Sequence, residues 1–553
     1  MIENLLLYGG MLMQRHGAWR RLVMAAGDPE ASQAGVLRKI LSENSTTLYG
    51  REHGFDRVVN YQDFAREVPV VSYEALRPYV EAQLRTGEPA LTSAHPVMYA
   101  QTSGTTGEPK YVPLVAEELQ DQKRHMALLT YQQYAFDRSA FAGTLWAMSA
   151  PAEEGRLENG MPFGSASGFL YARMPRPIAA KFLVPAEVFD LKDNDLKYRT
   201  VLRLALGKKN ITYLNAANPT TLIRLCTLAN EYGPEFAVDI EQGGFAGESR
   251  LPPHVAEALR NRLHPDPARA RELREIFGRG RPATFADLWP SLQLVSTWTG
   301  GNCGVAAEKV RSLLPPSARL VELGYLSSEF RGTLTVDQET GAGLPTLQDY
   351  FFEFIEPDQW EAGSRDCLLL NQLEAGRDYY VIVTTPSGLY RYFINDIVRV
   401  VGRFRMTPTI RFLQKGRGVT SITGEKLYES HVLEALAIAG REFGVQADFF
   451  LMLADVSGQA YRLYLELGAA KNLPERFSNN IELALFRLNE EYRAKRESGR
   501  LMPLQVLLMK PGTGEAYRAH CIRQGQKEGQ FKTVTLQYAH QCDFPLQSYV
   551  RGG

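Results

Sequence analysis

Cysteine is scarce: five residues in a chain of 553, namely Cys226, Cys303, Cys367, Cys521 and Cys542. They are odd in number, far apart and never in CxxC spacing, which excludes a disulfide framework and points to reduced thiols in a cytosol. Net charge is lacking too. Lys and Arg number 62 against 62 Asp and Glu, so no overall positive field draws the chain to nucleic acid or anionic lipid, and only a local basic patch remains open. No run approaches the eighteen or so apolar residues of a membrane span. The opening "MIENLLLYGGMLMQRHGAWRRLVMAA" places Glu3 before its apolar run and the arginines after it. That order is the reverse of a secretory leader, and Glu3 to Ala26 reads as an amphipathic helical entry. Internal repeats, low-complexity tracts and the dinucleotide pattern GxGxxG are all missing.

What remains is a globular composition, 44% apolar and 22% charged, close to the average for soluble domains. Residues 1–85 carry helical periodicity, with Val36, Ile40 and Leu41 on one face and Ser72 placed to cap "YEALRPYVEAQL". "AEELQDQKRHMALLTYQQYAF" reads as a long helix. "NPTTLIRLCTLANEYG" starts with a capping Asn218 and a first-turn Pro219, and is expected to stop at Gly233. Strand-like segments follow, rich in β-branched and aromatic residues: "LQLVSTWTGG", "RLVELGYLS", "YFFEFIEP", "DYYVIVTTPSGLYRYFINDIVRVVG" and "IRFLQK". The alternation predicts an α/β fold, with a large multi-sheet N-terminal lobe over 1–414. A glycine-rich break over 415–425 is the expected hinge, and 426–553 the smaller α+β C-terminal domain. In that domain "LPERFSNNIELALFRLNEEYRAKRE" reads as helix, and "ADFFLMLADV", "AYRLYLEL" and "LQVLLMK" as strands.

The most informative short stretch is "MYAQTSGTTGEPKYVPL", residues 98–114. It gathers Thr102, Ser103, Thr105 and Thr106 around Gly104 and Gly107, and ends on Pro109 and Lys110. Glycine lets backbone N–H groups converge on an anion, and hydroxyls and a lysine add donors, a combination suited to phosphate oxygens. It is not a Walker loop, because only two residues separate the glycines and the lysine comes later. From local chemistry alone two readings stand, a phosphate cradle and a solvated turn.

"TSGTTGEPK" resembles the signature loop of the acyl-adenylate-forming superfamily, which holds the β- and γ-phosphates of ATP. "YQDFAREVPVVSYEALRPYVE", "NPTTLIRL", "YLSSE" (325–329), "GLYRYFINDIVRV" and "GQFK" (529–532) narrow the resemblance to the acyl-acid amido synthetases of the Gretchen Hagen family. Those enzymes are best known from plants, where they join auxin or jasmonate to amino acids. The similarity is spread over nearly the whole chain, and its motifs keep their family order.

The resemblance implies ATP and Mg2+ as cofactors, with Ser103, Gly104, Thr105, Thr106 and Gly107 around the phosphates. It puts Tyr325 against the adenine, Ser327 and Ser328 beside it, and Glu329 on the magnesium, where a carboxylate completes a shell of phosphate and water oxygens. Asp396 would accept hydrogen bonds from the ribose hydroxyls, Arg399 would join the nucleotide site, and Lys426 in "TGEK" would touch phosphate or ribose. Lys532 would bring an ammonium to the α-phosphate and the substrate carboxylate. Each has a plainer counterpart: a solvated strand-end Glu, an Asp396 paired with Arg391 or Arg399, a surface lysine. The family favours Gly where Asn395 stands, and asparagine tolerates the left-handed dihedrals such a turn needs. Val419 occupies the place of an acidic hinge residue in the wider superfamily.

The implied reaction activates a carboxylic acid as its acyl-adenylate and transfers it to an amine, expected to be an amino acid, in a cytoplasmic enzyme with no nucleic-acid or membrane partner. The alternatives are a ligase that hands the acyl group to coenzyme A, and a nucleotide-binding protein without catalysis. The acid, the amine and the oligomeric state are not legible. "GSASG" (164–168) imitates a hydrolase elbow but has Ala166 at the nucleophile position. His520, Cys521, His540 and Cys542 do not have the spacing of a zinc finger.

Overall fold

The structure is a computed structural model. It describes residues 2–102, 110–416, 418–423, 425–468, 473, 476–497, 499, 501–524, 526, 531 and 533–551. The chain divides into two compact units, the first formed by 1–299, 310–394 and 399–411, the second by 300–309, 395–398 and 412–553. No cut made at a single point along the sequence reproduces this, because 300–309 and 395–398 join the second unit from within the first. Among the described residues no helix is long and apolar enough to cross a membrane.

The first unit opens with helices, Ile2–Gln14, Arg20–Ala25, Pro29–Asn44 and onward to Tyr73–Thr86. It then builds a four-stranded sheet that is parallel throughout: Thr144–Ala147, Ile211–Asn215, Leu294–Thr297 and Arg319–Glu322, in that spatial order. Leu294–Thr297 is wholly buried, as expected of a parallel strand covered on both faces. Trp146, on the strand Thr144–Ala147, and Trp289 meet edge to face with ring centroids 5.1 Å apart, and the Trp289 indole donates to the Ala205 carbonyl at 2.9 Å.

The helix Pro219–Glu231 begins as its sequence predicts, with Asn218 accepting from the Thr220 N–H at 3.0 Å. It ends where expected, at Glu231 with Tyr232 as its C-cap, and Gly233 starts a separate helix, Gly233–Gln242, which has proline in its first turn.

A seven-stranded sheet runs in the order Leu368–Leu369, Phe351–Ile355, Asp378–Thr384, Tyr392–Phe404, Thr407–Lys415, Ala342–Pro345, Thr333–Asp337. The two short strands Thr333–Asp337 and Ala342–Pro345 have no sequence run long enough to announce them. In the core beside this sheet Arg391 forms an ion pair with Glu353 at 2.8 Å, their side chains 4% and 1% exposed. The same guanidinium donates to the carbonyls of Ala65 and Val68, tying the helix Tyr61–Glu67 to the sheet.

In the second unit the sheet order is Gln505–Leu508, Ala460–Leu467, Ala447–Asp455, Leu536–Tyr538. Alternation along Ala447–Asp455 sends Phe450, Met452 and Ala454 to a core shared with the helices Glu429–Phe443 and Phe477–Leu488. Leu451 and Leu453 go to the opposite face, against Tyr517 and Cys521 of the helix Thr513–Arg523. Successive strand side chains point to opposite faces, so one strand serves both layers. The helix expected over "LPERFSNNIELALFRLNEEYRAKRE" is two helices, Phe477–Leu488 and Glu490–Glu497. They part at Asn489, whose side chain turns to accept from the Tyr492 N–H at 2.8 Å.

Candidate active site

In the first unit, Pro96–Thr102 and Lys110–Val115 form an antiparallel pair whose last register position is Thr102 opposite Lys110. The hydroxyl-rich loop therefore joins the two legs of a hairpin. Ser103, Gly104, Thr105, Thr106 and Gly107 lie outside the described residues. The returning leg is clamped by Tyr73, whose hydroxyl donates to the Tyr111 carbonyl and accepts from the Tyr111 N–H, both at 2.8 Å. Lys110 lies over the Tyr73 ring, 5.5 Å from its centroid.

The segment 323–331 leaves the end of the parallel strand Arg319–Glu322 and carries Tyr325, Ser327, Ser328 and Glu329. Gly324 has φ +105°, which excludes side-chain-bearing residues at the exit. Tyr325 is buried and is held by backbone and side-chain bonds to Thr333 at 3.1 and 2.9 Å. Its ring packs so closely on Gly332 that a Cβ there would lie 2.5 Å away. Ser327 closes a tight turn: its N–H donates to the Phe330 carbonyl at 3.0 Å, and its hydroxyl accepts from the N–H groups of Glu329 and Phe330. Glu329 sits on this turn, half-buried, and accepts from the Tyr392 hydroxyl at 3.4 Å. Among the described residues this carboxylate accepts one long hydrogen bond and keeps oxygen lone pairs for a cation, so its chemistry fits a magnesium ligand.

In the second unit Asp396 is 2% exposed on the strand Tyr392–Phe404. Neither arginine considered from the sequence is its salt-bridge partner. Arg391 is taken by Glu353, and Arg399 is held by both oxygens of Asp378 at 2.7 and 2.9 Å. Asp396 is paired instead with Lys415, on the neighbouring strand Thr407–Lys415. Strand alternation explains this: Lys415 is presented from the next strand in the sheet. Asn395 has φ +60°, the left-handed geometry its side chain tolerates, and its carbonyl accepts from the Gly416 N–H at 2.9 Å.

Lys426 is half-buried, and its N–H donates to Glu491 at 3.2 Å. The turn before it is organised by Glu425, which is fully buried. Glu425 accepts from the N–H groups of Ile422 and Thr423 and the hydroxyls of Thr423 and Tyr461, all at 2.8 Å. Burial works to raise its carboxyl, but these donors outweigh it and hold the group below the usual range. Lys532 lies outside the described residues. Nearby, Phe531 is buried in the core of the second unit, and Thr535 donates its N–H to the buried Glu429 at 2.6 Å. Sequence reasoning missed Lys415 and Glu425. Lys415 was visible only as part of the glycine break, while Glu425 stands inside the quoted "TGEK" and could have been found as the acidic member of a hydroxyl-rich turn.

The fold is shared with two kinds of acyl-activating ligase. A solved structure titled GH3.15 acyl acid amido synthetase aligns with a TM-score of 0.84 at 22% identity, covering 97% of this chain and 96% of that one. More distantly, 2-hydroxyisobutyryl-CoA ligase in its postadenylation state aligns with a TM-score of 0.53 at 12% identity, over 94% and 90% of the two chains. In sequence, residues 18–318 match the GH3 family N-terminal domain, 343–415 its central domain and 430–540 its C-terminal domain. The chain belongs to the GH3 family. Among its relatives, indole-3-acetic acid-amido synthetase GH3.8 of Oryza sativa subsp. indica is 26% identical over 545 residues, 91% of this chain and 87% of the relative. Indole-3-acetic acid-amido synthetase GH3.10 of Arabidopsis thaliana is 25% identical over 551 residues, 91% of each.

Proposed function

We propose that the protein is an acyl-acid amido synthetase, which activates a carboxylic acid with ATP and passes the acyl group to an amine, in the first instance an amino acid. The reading is carried by three GH3 domains matched in chain order, with the loop "TSGTTGEPK" at the tip of a hairpin. A carboxylate alone does not acylate an amine, because its leaving group would be oxide. In the first half-reaction a carboxylate oxygen attacks the α-phosphorus and the bond to the β-phosphate breaks, releasing pyrophosphate. In the second, the amine attacks the acyl carbon, AMP departs and the nitrogen loses a proton.

In this scheme Ser103, Gly104, Thr105, Thr106 and Gly107 cradle the departing phosphates. Tyr325 flanks the adenine with Ser327 and Ser328 beside it, Asp396 accepts from the ribose, and Arg399 and Lys426 complete the nucleotide contacts. Lys532 stabilises the crowded phosphorus of the transition state. Glu329 would hold Mg2+, which when bound supplies charge neutralisation on the phosphates. The two half-reactions need different groups at one site. Residues 415–425 are therefore assigned as a hinge and 426–553 as the domain that turns on it. None of the five cysteines is in a disulfide, which suits a cytosolic protein.

The test is a screen of acid and amine libraries for pyrophosphate release, with products identified by mass spectrometry. Release that depends on the acid, followed by amide formation, supports the reading. Thioester formation with coenzyme A in place of amide overturns the acceptor. ATP binding without release overturns the enzyme.

A further inference from the structure

The segment 323–331 is fastened at its start by one buried acidic residue and backed near its end by a tyrosine that a second one holds, and no motif singles out either. At its start stands Glu322, 8% exposed at the end of the strand Arg319–Glu322. One carboxylate oxygen accepts from the N–H and hydroxyl of Thr299 at 2.7 and 2.5 Å, and the other from the Gly324 N–H at 2.9 Å. Thr299 follows the parallel strand Leu294–Thr297, so a single carboxylate joins the exits of two adjacent parallel strands. Ligands of α/β sheets bind at the carboxyl ends of such strands.

Near the far end, the Phe330 ring meets Tyr350, a fully buried side chain, edge to face with centroids 5.6 Å apart, and the Tyr350 hydroxyl donates to Glu118 at 3.3 Å. Glu118 comes from the helix Ala116–Phe136, is fully buried and is flanked by Ser387 and Gln122. The Thr346 hydroxyl adds a bond to the Arg331 carbonyl at 2.6 Å. Between the two anchors lie Tyr325 and the Ser327 turn that presents Glu329.

We propose that Glu322 and the Tyr350–Glu118 pair are positioning residues for the nucleotide, holding 323–331 in its binding geometry before ATP arrives. The assignment rests on the function proposed above. Ordering a free segment on binding costs roughly 1–2 kcal/mol per residue in backbone entropy, and a segment fixed beforehand leaves that free energy in the affinity. Burying two carboxyl groups is unfavourable unless each is hydrogen-bonded. Glu322 bonds the start of this loop directly, and Glu118 holds the Tyr350 ring on which the loop's Phe330 packs. Neither group touches substrate in this scheme.

The experiment measures acid-dependent pyrophosphate exchange into ATP for the wild type, Glu322→Gln and Tyr350→Phe, with thermal midpoints alongside. Glu322→Gln keeps the shape but cannot accept from both Thr299 and Gly324. Tyr350→Phe keeps the ring and its packing and removes only the oxygen. The expected result is a roughly tenfold rise in KM for ATP in each variant, the effect of one lost buried hydrogen bond. KM for the acid stays within about twofold, and the thermal midpoint moves by no more than about 5 °C. An unchanged KM for ATP in either folded variant overturns the positioning role. So does a parallel rise in both KM values accompanied by a large loss of thermal midpoint in both variants. Exchange missing from the wild type would overturn the function itself.

Discussion

At the scale of single residues, this protein concentrates its chemistry in buried charges whose partners come from distant parts of the chain. Arg391 shows the consequence for stability. With the guanidinium removed, Glu353 is left buried without its countercharge, and an ion pair broken from one side costs about 3–5 kcal/mol. Arg391→Met is therefore expected to lower the free energy of unfolding of the first unit by about that amount in a urea titration. Glu118 makes a pH prediction. Burial raises its carboxyl to about 7 from 4.5, against the opposing hydrogen bonds from Ser387, Gln122 and Tyr350. Between those values the folded protein keeps a proton that the unfolded chain has released. Stability therefore falls as pH rises from about 4.5 to about 7 and levels off above. Glu118→Gln lacks this titration, so its stability relative to wild type should improve across that window by up to about 3 kcal/mol. Urea titrations at about pH 5 and about pH 8 measure the difference. The residue scale is also where the sequence was least legible. Asp396 was recognisable as a carboxylate in need of a partner, but Lys415 is its neighbour only through sheet order, and no spacing along the chain reveals that. Asn395 was legible because a left-handed backbone position narrows the choice of residue from the start.

At the scale of elements, local rules carried further. The cap at Asn218 and the proline after it mark the true start of Pro219–Glu231, since those groups act within one turn. Removing the capping oxygen in Asn218→Ala should cost about 1 kcal/mol, seen as a lower urea midpoint at unchanged slope. The long strands and the helix Ala116–Phe136 were likewise visible, because period and composition agree over many residues. What escaped were features decided by tertiary neighbours. The helix expected over 473–497 breaks at Asn489, where a side chain replaces a backbone partner. The strands Thr333–Asp337 and Ala342–Pro345 are too short to show a period of their own.

At the scale of the whole molecule, the family could be read from motifs in their order, and the three matched domains state the same membership. The two units interleave along the chain. The proposed hinge makes a prediction at this scale. Val419 pairs with Tyr428 in a two-residue strand, and Val419→Pro removes a backbone donor and fixes φ there. If 415–425 is the pivot between half-reactions, amide formation should fall roughly tenfold or more while pyrophosphate exchange stays near wild type, measured on the same preparation.

Pyrophosphate exchange into ATP, run with and without the carboxylic acid and in the absence of amine, tests the central claim most directly. Exchange should require the acid and proceed without the amine, and it should fall roughly 100- to 1000-fold in Lys532→Ala, the loss expected of one preorganised charge at the reacting phosphorus. Exchange that ignores the acid, or that persists at full rate in Lys532→Ala, would contradict the account.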